Sequence, residues 1–277
     1  MRYLLANHDA WLDAFRRGSA RHAGMVLDDG GLETATDMDS DTSNLLVGSD
    51  AIIQVTGPLS YKYDFWSWYS DGTSYQGISA KLDAAMGSAD CKRVVMVFDT
   101  PGGEVTGIME LARKLRECIK ETVAVVDPCA ASAGLWLATQ CKKIVSIESG
   151  EVGSLGVQCV AVSYAKMFEE AGIDVRVVRA GVSPDKNMAH PYEPMSKEAV
   201  EYLQGRVDKM AARFVADVAA GRGKDEKFVT ENFGKGRMLD SQEAMDVGLI
   251  DSVGTLAGVL AEGSSVTRKR RYGATML

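Results

Sequence analysis

From residue 51 onward, short β-branched runs alternate with stretches whose apolar positions recur at helical spacing. The runs Ala51–Val55, Arg93–Asp99, Thr122–Asp127, Lys143–Ile147, Val157–Val162 and Asp174–Arg179 read as strands. Between them, Tyr75–Met86 puts Ile78, Leu82 and Met86 on one helical face, and Glu104–Ile119 does the same with Ile108, Leu111, Leu115 and Ile119. A longer helical pattern runs from Ser196 to about Ala220, and shorter elements end near Glu262. Strands alternating with crossover helices predict an α/β fold with a mainly parallel sheet. No internal repeat or clean boundary divides this stretch. The expected organisation is an N-terminal extension over 1–50, partly irregular, one domain over 51–262, and a basic, flexible tail over 263–277.

The flanks carry weaker patterns. Trp11, Leu12 and Phe15 suggest a short amphipathic helix, followed by an acidic, turn-rich stretch from Asp28 to Asp50. Asp37, Asp39 and Asp41 alternate as at the start of a calcium loop, but Thr42 replaces the required glycine and Gly48 the bidentate Glu, so a solvated acidic loop is the better reading. Tyr61, Tyr63, Phe65, Trp66, Trp68 and Tyr69 crowd one segment. They fit burial against the domain or a neighbouring subunit better than base stacking. Arg268-Lys269-Arg270-Arg271 reads as a solvated terminus.

The 277 residues suit one large domain with appendages, and 46% hydrophobic with 25% charged residues is a globular composition. Acidic residues outnumber basic ones by 38 to 31, a net charge of −7, which argues against nucleic acid as a partner. No apolar run approaches the ~18 residues of a membrane span, and the opening residues lack the apolar centre of a secretory signal. A cytoplasmic location is expected. The five cysteines are an odd number, with no pair at C-x-x-C spacing, so reduced thiols are expected.

Two glycine-marked turns sit at strand-to-helix junctions: Asp99-Thr100-Pro101-Gly102-Gly103 and Asp127-Pro128-Cys129-Ala130-Ala131-Ser132-Ala133-Gly134. In a parallel sheet both emerge at carboxyl ends of neighbouring strands and face one crevice. Gly102 and Gly103 let backbone N–H groups approach a ligand without an intervening Cβ. Ser132 opens a helix whose first N–H groups lack intrahelical partners. A hydroxyl there, beside the N–H of Ala133 and of Gly102 or Gly103, suits a nucleophile next to an oxyanion hole; equally, Ser is a preferred N-cap and Pro-Gly-Gly an ordinary turn. No His lies between His22 and His190, so an imidazole base is hard to place. Lysine is the alternative partner, and Lys186, in the loop Arg179–Met188, is the candidate base. Lowering a lysine pKa from ~10.4 to near 7 takes ~4 kcal/mol of desolvation. Cys129 reads as a small buried thiol and His190, before Pro191, as a loop constraint.

Asp-Thr-Pro-Gly-Gly at 99–103, Cys-Ala-Ala-Ser-Ala-Gly at 129–134, Gly-Ser-Leu-Gly-Val at 153–157, and Lys186 followed by His190-Pro191 and Met195-Ser196 resemble the successive motifs of the signal peptide peptidase A family. The resemblance covers about residues 51–260. It implies a Clp-protease/crotonase-like fold, a superhelix of β-β-α or βα repeats, and a Ser-Lys dyad. It aligns Ser132 with the nucleophile, Lys186 with the general base, Ser154 with a hydroxyl that orients the lysine amine, and Gly102, Gly103 and Ala133 with the oxyanion region. Asp71–Ile78, leading through Leu82-Asp83-Ala84-Ala85, is similar to the branch of bacteriophage prohead or capsid assembly proteases. That branch implies capsid, scaffold or portal proteins, and the chain itself, as substrates, and a homo-oligomer without a membrane anchor. The substrate is expected to lie extended along an edge near Leu155–Cys159. No cofactor or metal is indicated. The alternatives are a crotonase-like acyl-CoA enzyme, using the glycine turns as an enolate oxyanion hole, and a catalytically silent assembly subunit.

Overall fold

The computed structural model describes residues 4–6, 45–63 and 70–263. The expected helix near Trp11–Phe15, the Asp37–Asp41 loop, residues 65–69 of the aromatic segment and the basic run at 268–271 lie outside them.

In chain order the strands are β1 (Leu4–Ala6), β2 (Leu45–Val47), β3 (Asp50–Thr56), β4 (Leu59–Ser60), β5 (Thr73–Ser74), β6 (Arg93–Thr100), β7 (Gly102–Glu104), β8 (Glu121–Ala131), β9 (Lys143–Ser146), β10 (Glu151–Gly153), β11 (Met238–Asp240) and β12 (Ser252–Val253). The helices are α1 (Tyr75–Gly87), α2 (Ile108–Arg116), α3 (Ala133–Ala138), α4 (Ala165–Glu170), α5 (Lys197–Arg222), α6 (Glu226–Asn232) and α7 (Ser241–Asp246). The main sheet runs β11-β10-β8-β6-β3-β2, with β9 beside the first half of β8 and β12 beside β9. Only its two outermost strands, β2 and β11, pair antiparallel. The fold is therefore mixed α/β with a mainly parallel sheet, as the alternating pattern predicts. A smaller sheet, β1-β7-β4-β5, lies at the carboxyl end of β6.

The central strands read as continuous apolar runs because both faces are covered. In β6, Val94, Met96 and Phe98 join the core beneath α1, α2, α3 and α5, while Val95 and Val97 join a second cluster with Ile52, Val123, Val125, Val145 and Val259. At the open ends of β3 and β6, Asp50 and Arg93 stand opposite each other and form a buried bidentate pair at 2.6 and 3.0 Å. Arg93 also donates to the Val259 carbonyl at 2.7 Å and so ties the chain's last described helical segment to the sheet.

Several expected elements match closely: α1 starts where Ser74 caps it, and α5 where Ser196 does, each through a side-chain oxygen that accepts an N–H three residues on. Others differ. The expected helix Glu104–Ile119 shortens to Ile108–Arg116 because Gly102–Glu104 is spent on β7 and Gly107 caps the helix in a left-handed conformation. Ile119 therefore falls beyond the helix and is 82% exposed, while Cys118 turns inward. The expected strands Val157–Val162 and Asp174–Arg179 do not form; both stretches are irregular. Their β-branched residues have strand propensity, but among the described residues the two stretches form nothing beyond a single bridge at Gln158, and Val160 and Val178 stand 67% and 92% exposed.

Asp50→Ala strands the Arg93 guanidinium in a dry site. The expected loss is about 3–5 kcal/mol of unfolding free energy, read from denaturant midpoints at unchanged m-value.

Candidate active site

The two glycine turns meet because adjacent parallel strands deliver them side by side. β6 pairs with β8 along its length, and Thr100, after a register shift, lies opposite Ala130. Thr100 Oγ1 donates to the Gly57 carbonyl at 2.6 Å and accepts the Gly102 N–H at 3.0 Å, which latches the Pro101-Gly102 turn to the end of β3. Gly102 has φ +99°, a conformation that L side chains rarely adopt. At Gly103 a Cβ would fall 1.8 Å from the Leu59 carbonyl oxygen, so no side chain fits between β7 and β4. At Gly134, in the first turn of α3, a Cβ would fall 2.4 Å from Thr100 Cγ2. The helix start and the glycine turn are thus in backbone-close contact.

Ser132 joins β8 to α3 with φ 54° and ψ −113°, a conformation that costs a non-glycine residue of order 1–3 kcal/mol. Its N–H donates to the Gly153 carbonyl at 2.8 Å and its carbonyl accepts the Trp136 N–H at 2.9 Å. Its side chain makes no capping hydrogen bond. The contrast with Ser74 and Ser196, which cap helices from extended backbone, removes the N-cap explanation for this serine. Ser132 is 1% exposed, within a helix start that is buried throughout. Trp136 fixes that helix: its ring stacks on Phe214 of α5 at 4.4 Å, and its Nε1–H donates at 3.0 Å to Asp217, which also pairs with Arg116 of α2 at 2.8 Å.

Ser154 is brought alongside. β10 runs parallel to the end of β8, with Gly153 opposite Ala131, so the next residues on the two strands are Ser154 and Ser132. Ser154 is half-buried, has φ 55°, and donates its N–H to the Arg237 carbonyl at 2.9 Å. Gly153 can only be glycine here, since a Cβ would fall 2.4 Å from the same carbonyl. Ser132, Ala133, Ser154, Gly102 and Gly103 therefore gather at the carboxyl ends of β6, β8 and β10.

No hydrogen bond among the described residues links the Lys186 side chain to them. The lysine lies in the turn-rich segment 181–190 and is exposed. Its own loop is well knit: Arg179 donates to the Lys186 carbonyl at 2.6 Å and to the Asn187 carbonyl at 3.0 Å, and forks onto Glu193. That guanidinium holds the Glu193 carboxyl below its ordinary range. Asn187, beside the lysine, has φ 52°. His190 Nδ1 accepts the Tyr192 N–H at 3.2 Å, a loop-shaping role. Burial first, then Glu151 and Asp99, pushes the Cys129 thiol up to about 12, which keeps it protonated and unreactive. The stretch Leu155–Cys159, where a substrate edge is expected, forms no extended strand and carries a single β-bridge at Gln158.

Thr100 and β7 escape the sequence pattern. A single threonine before Pro-Gly-Gly carries no period, and Gly-Gly-Glu has too few side chains to alternate. Among the described residues no group of three or more His, Cys, Asp or Glu is placed to hold a metal ion, and no helix is long and apolar enough to cross a membrane.

The head-tail preconnector protein GP5 of Enterobacteria phage P21 is 27% identical over 83% of this chain and 46% of its own length. The capsid assembly protease C of Escherichia phage lambda is 28% identical over 73% of this chain and 46% of its own. The chloroplastic serine protease SPPA of Arabidopsis thaliana is 25% identical over 79% of this chain and 33% of its own. The chain spans half of each relative's length or less. Residues 114–266, a stretch that begins in α2 and takes in Ser132, Ser154 and Lys186, match the model of peptidase family S49, and the chain belongs to that family.

Proposed function

We propose that the chain is a serine endopeptidase whose catalytic unit spans 51–262 and whose Ser-Lys dyad is Ser132 and Lys186. The observation that carries the reading is the Ser132 backbone, held off its ordinary conformation at a helix start while its hydroxyl is withheld from capping. Strain of this kind persists only where the surroundings over-determine it, and the Gly153, Trp136 and Asp217 contacts do so.

On this reading, neutral Lys186 accepts the Ser132 Oγ proton as the oxygen attacks a peptide carbonyl, and Ser154 orients the amine. The developing oxyanion is met by the Ala133 N–H, which has no intrahelical partner, and by the glycine turn. The Gly102 N–H already donates to Thr100 Oγ1, and Gly103 is paired with Leu59 of β4 and Leu5 of β1. The lysine ammonium then protonates the leaving amine, and water hydrolyses the acyl-enzyme.

Lys186 must leave water to serve as the base. The segment that carries it exposes Val160, Val178 and Val182, the last to 97%. Burying a valine side chain is worth about 1.5–3 kcal/mol, so docking this segment against a second copy of the chain supplies both a driving force and a dry site for the amine. The active form is then a homo-oligomer. The phage relatives support capsid, scaffold or portal proteins as substrates, encountered in the host cytoplasm or the assembling particle.

Ser132→Ala and Lys186→Ala are each expected to lower cleavage of a co-expressed scaffold or portal protein by at least about 10³-fold, and an active-site phosphonate should label only the chain that retains Ser132. Normal processing by Ser132→Ala removes the proposal, and stoichiometric CoA binding in calorimetry favours the acyl-CoA alternative. Gly103→Ala forces β7 off β4; kcat should fall about 10²–10³-fold with the circular dichroism spectrum retained.

A further inference from the structure

β7 leads directly out of the Pro101-Gly102 turn, and β4 covers one of its edges. The other edge is taken by the chain's own residues 4–6. β1 runs antiparallel to β7, with Leu4 opposite Glu104, Leu5 opposite Gly103 and Ala6 opposite Gly102. Read from Leu4 to Ala6, the strand advances toward Gly102 and so toward the turn against which Gly134 and the start of α3 pack. A polypeptide entering along this line brings its carbonyl groups to the oxyanion glycines in order and its next peptide bond toward Ser132.

Two features of β7 make the edge a main-chain reader. Gly102 and Gly103 offer no side chains, so recognition there falls on backbone N–H and C=O groups and tolerates many sequences. Among the described residues the ladder is three residues long, so a competing strand has few hydrogen bonds to displace. A tethered strand also acts at a high effective concentration, which a free peptide must overcome.

We infer that residues 4–6 are an internal occupant of the substrate-pairing edge, a strand with the direction and register of a bound substrate that a protein substrate must displace. The inference rests on the peptidase reading of Ser132. Its consequence is selectivity: short peptides compete poorly with the tethered strand, whereas a long extended segment replaces it.

The test compares three proteins in a Ser132→Ala background: the full chain, the chain without residues 1–6, and the chain carrying Leu4→Pro and Leu5→Pro together; successive N–H groups of a strand point to opposite sides, so one of the two removed faces β7. The probe is a fluorescein-labelled peptide of residues 1–9, followed by anisotropy. If the strand is docked about nine-tenths of the time, the two altered chains bind the probe about tenfold more tightly than the full chain. A probe with the same two changes should not bind. In chains that keep Ser132, the matching changes should raise kcat/KM on unfolded casein by a similar factor, through KM. Equal affinity for all three proteins, or binding to none, overturns the inference. Equal affinity with casein hydrolysis intact sinks the strand and leaves the peptidase; a tenfold difference in binding with no hydrolysis by any chain does the reverse.

Discussion

The backbone at Ser132 is the constraint on which the rest of the site depends. A left-handed φ with ψ near −113° is not held by the residue itself, since serine gains nothing there. It is held from outside. The N–H is fixed to Gly153, the carbonyl opens the first turn through Trp136, and Trp136 is wedged by the Phe214 stack and the Asp217 hydrogen bond. The helix behind it, Ala-Gly-Leu-Trp-Leu-Ala, is wholly buried. Relaxing Ser132 toward ordinary helix geometry would shift a close-packed core element, and close-packed interiors resist such shifts.

The same close packing explains why small residues recur at the junction. Gly103 meets the Leu59 carbonyl, Gly134 meets Thr100, and Gly153 meets the Arg237 carbonyl, each at a separation that excludes a Cβ. These approaches set the spacing of three adjacent chain crossings: β7 against β4, α3 against the end of β6, and β10 against the entry to β11. The glycines therefore position Ser132, Ala133 and Ser154 relative to one another, and the chemistry follows from that spacing.

Much of this was legible because its physics is local. Two-sided burial of β6 and β8 appears as unbroken apolar runs, and Ser196 announces the start of α5 by the bond it makes within three residues. What failed to be legible depends on partners. Val157–Val162 and Asp174–Arg179 have the composition of strands, but a strand is a relation between two segments, and among the described residues the pairing stops at one bridge, at Gln158. Ile119 follows the period of its helix, yet the helix ends at Arg116, where the Glu117 and Cys118 N–H groups close the last turn on the carbonyls of Arg113 and Leu115. Ser132 itself was ambiguous: a serine before a helix is a cap in most proteins, and only the dihedral angles distinguish this one.

On the proposed mechanism, the two halves of the dyad sit in opposite physical settings. Ser132 and Ala133 are buried and Ser154 half-buried beside them, whereas Lys186 belongs to an exposed segment with bare valines. The proposed mechanism therefore needs the exposed segment that carries Lys186 to be covered. One event resolves both deficits: covering Val160, Val178 and Val182 removes apolar surface from water and, by the same exclusion of solvent, favours the neutral amine. On the proposed mechanism activity would follow assembly, because the hydrophobic gain of association and the desolvation of the amine arise from the same displaced water.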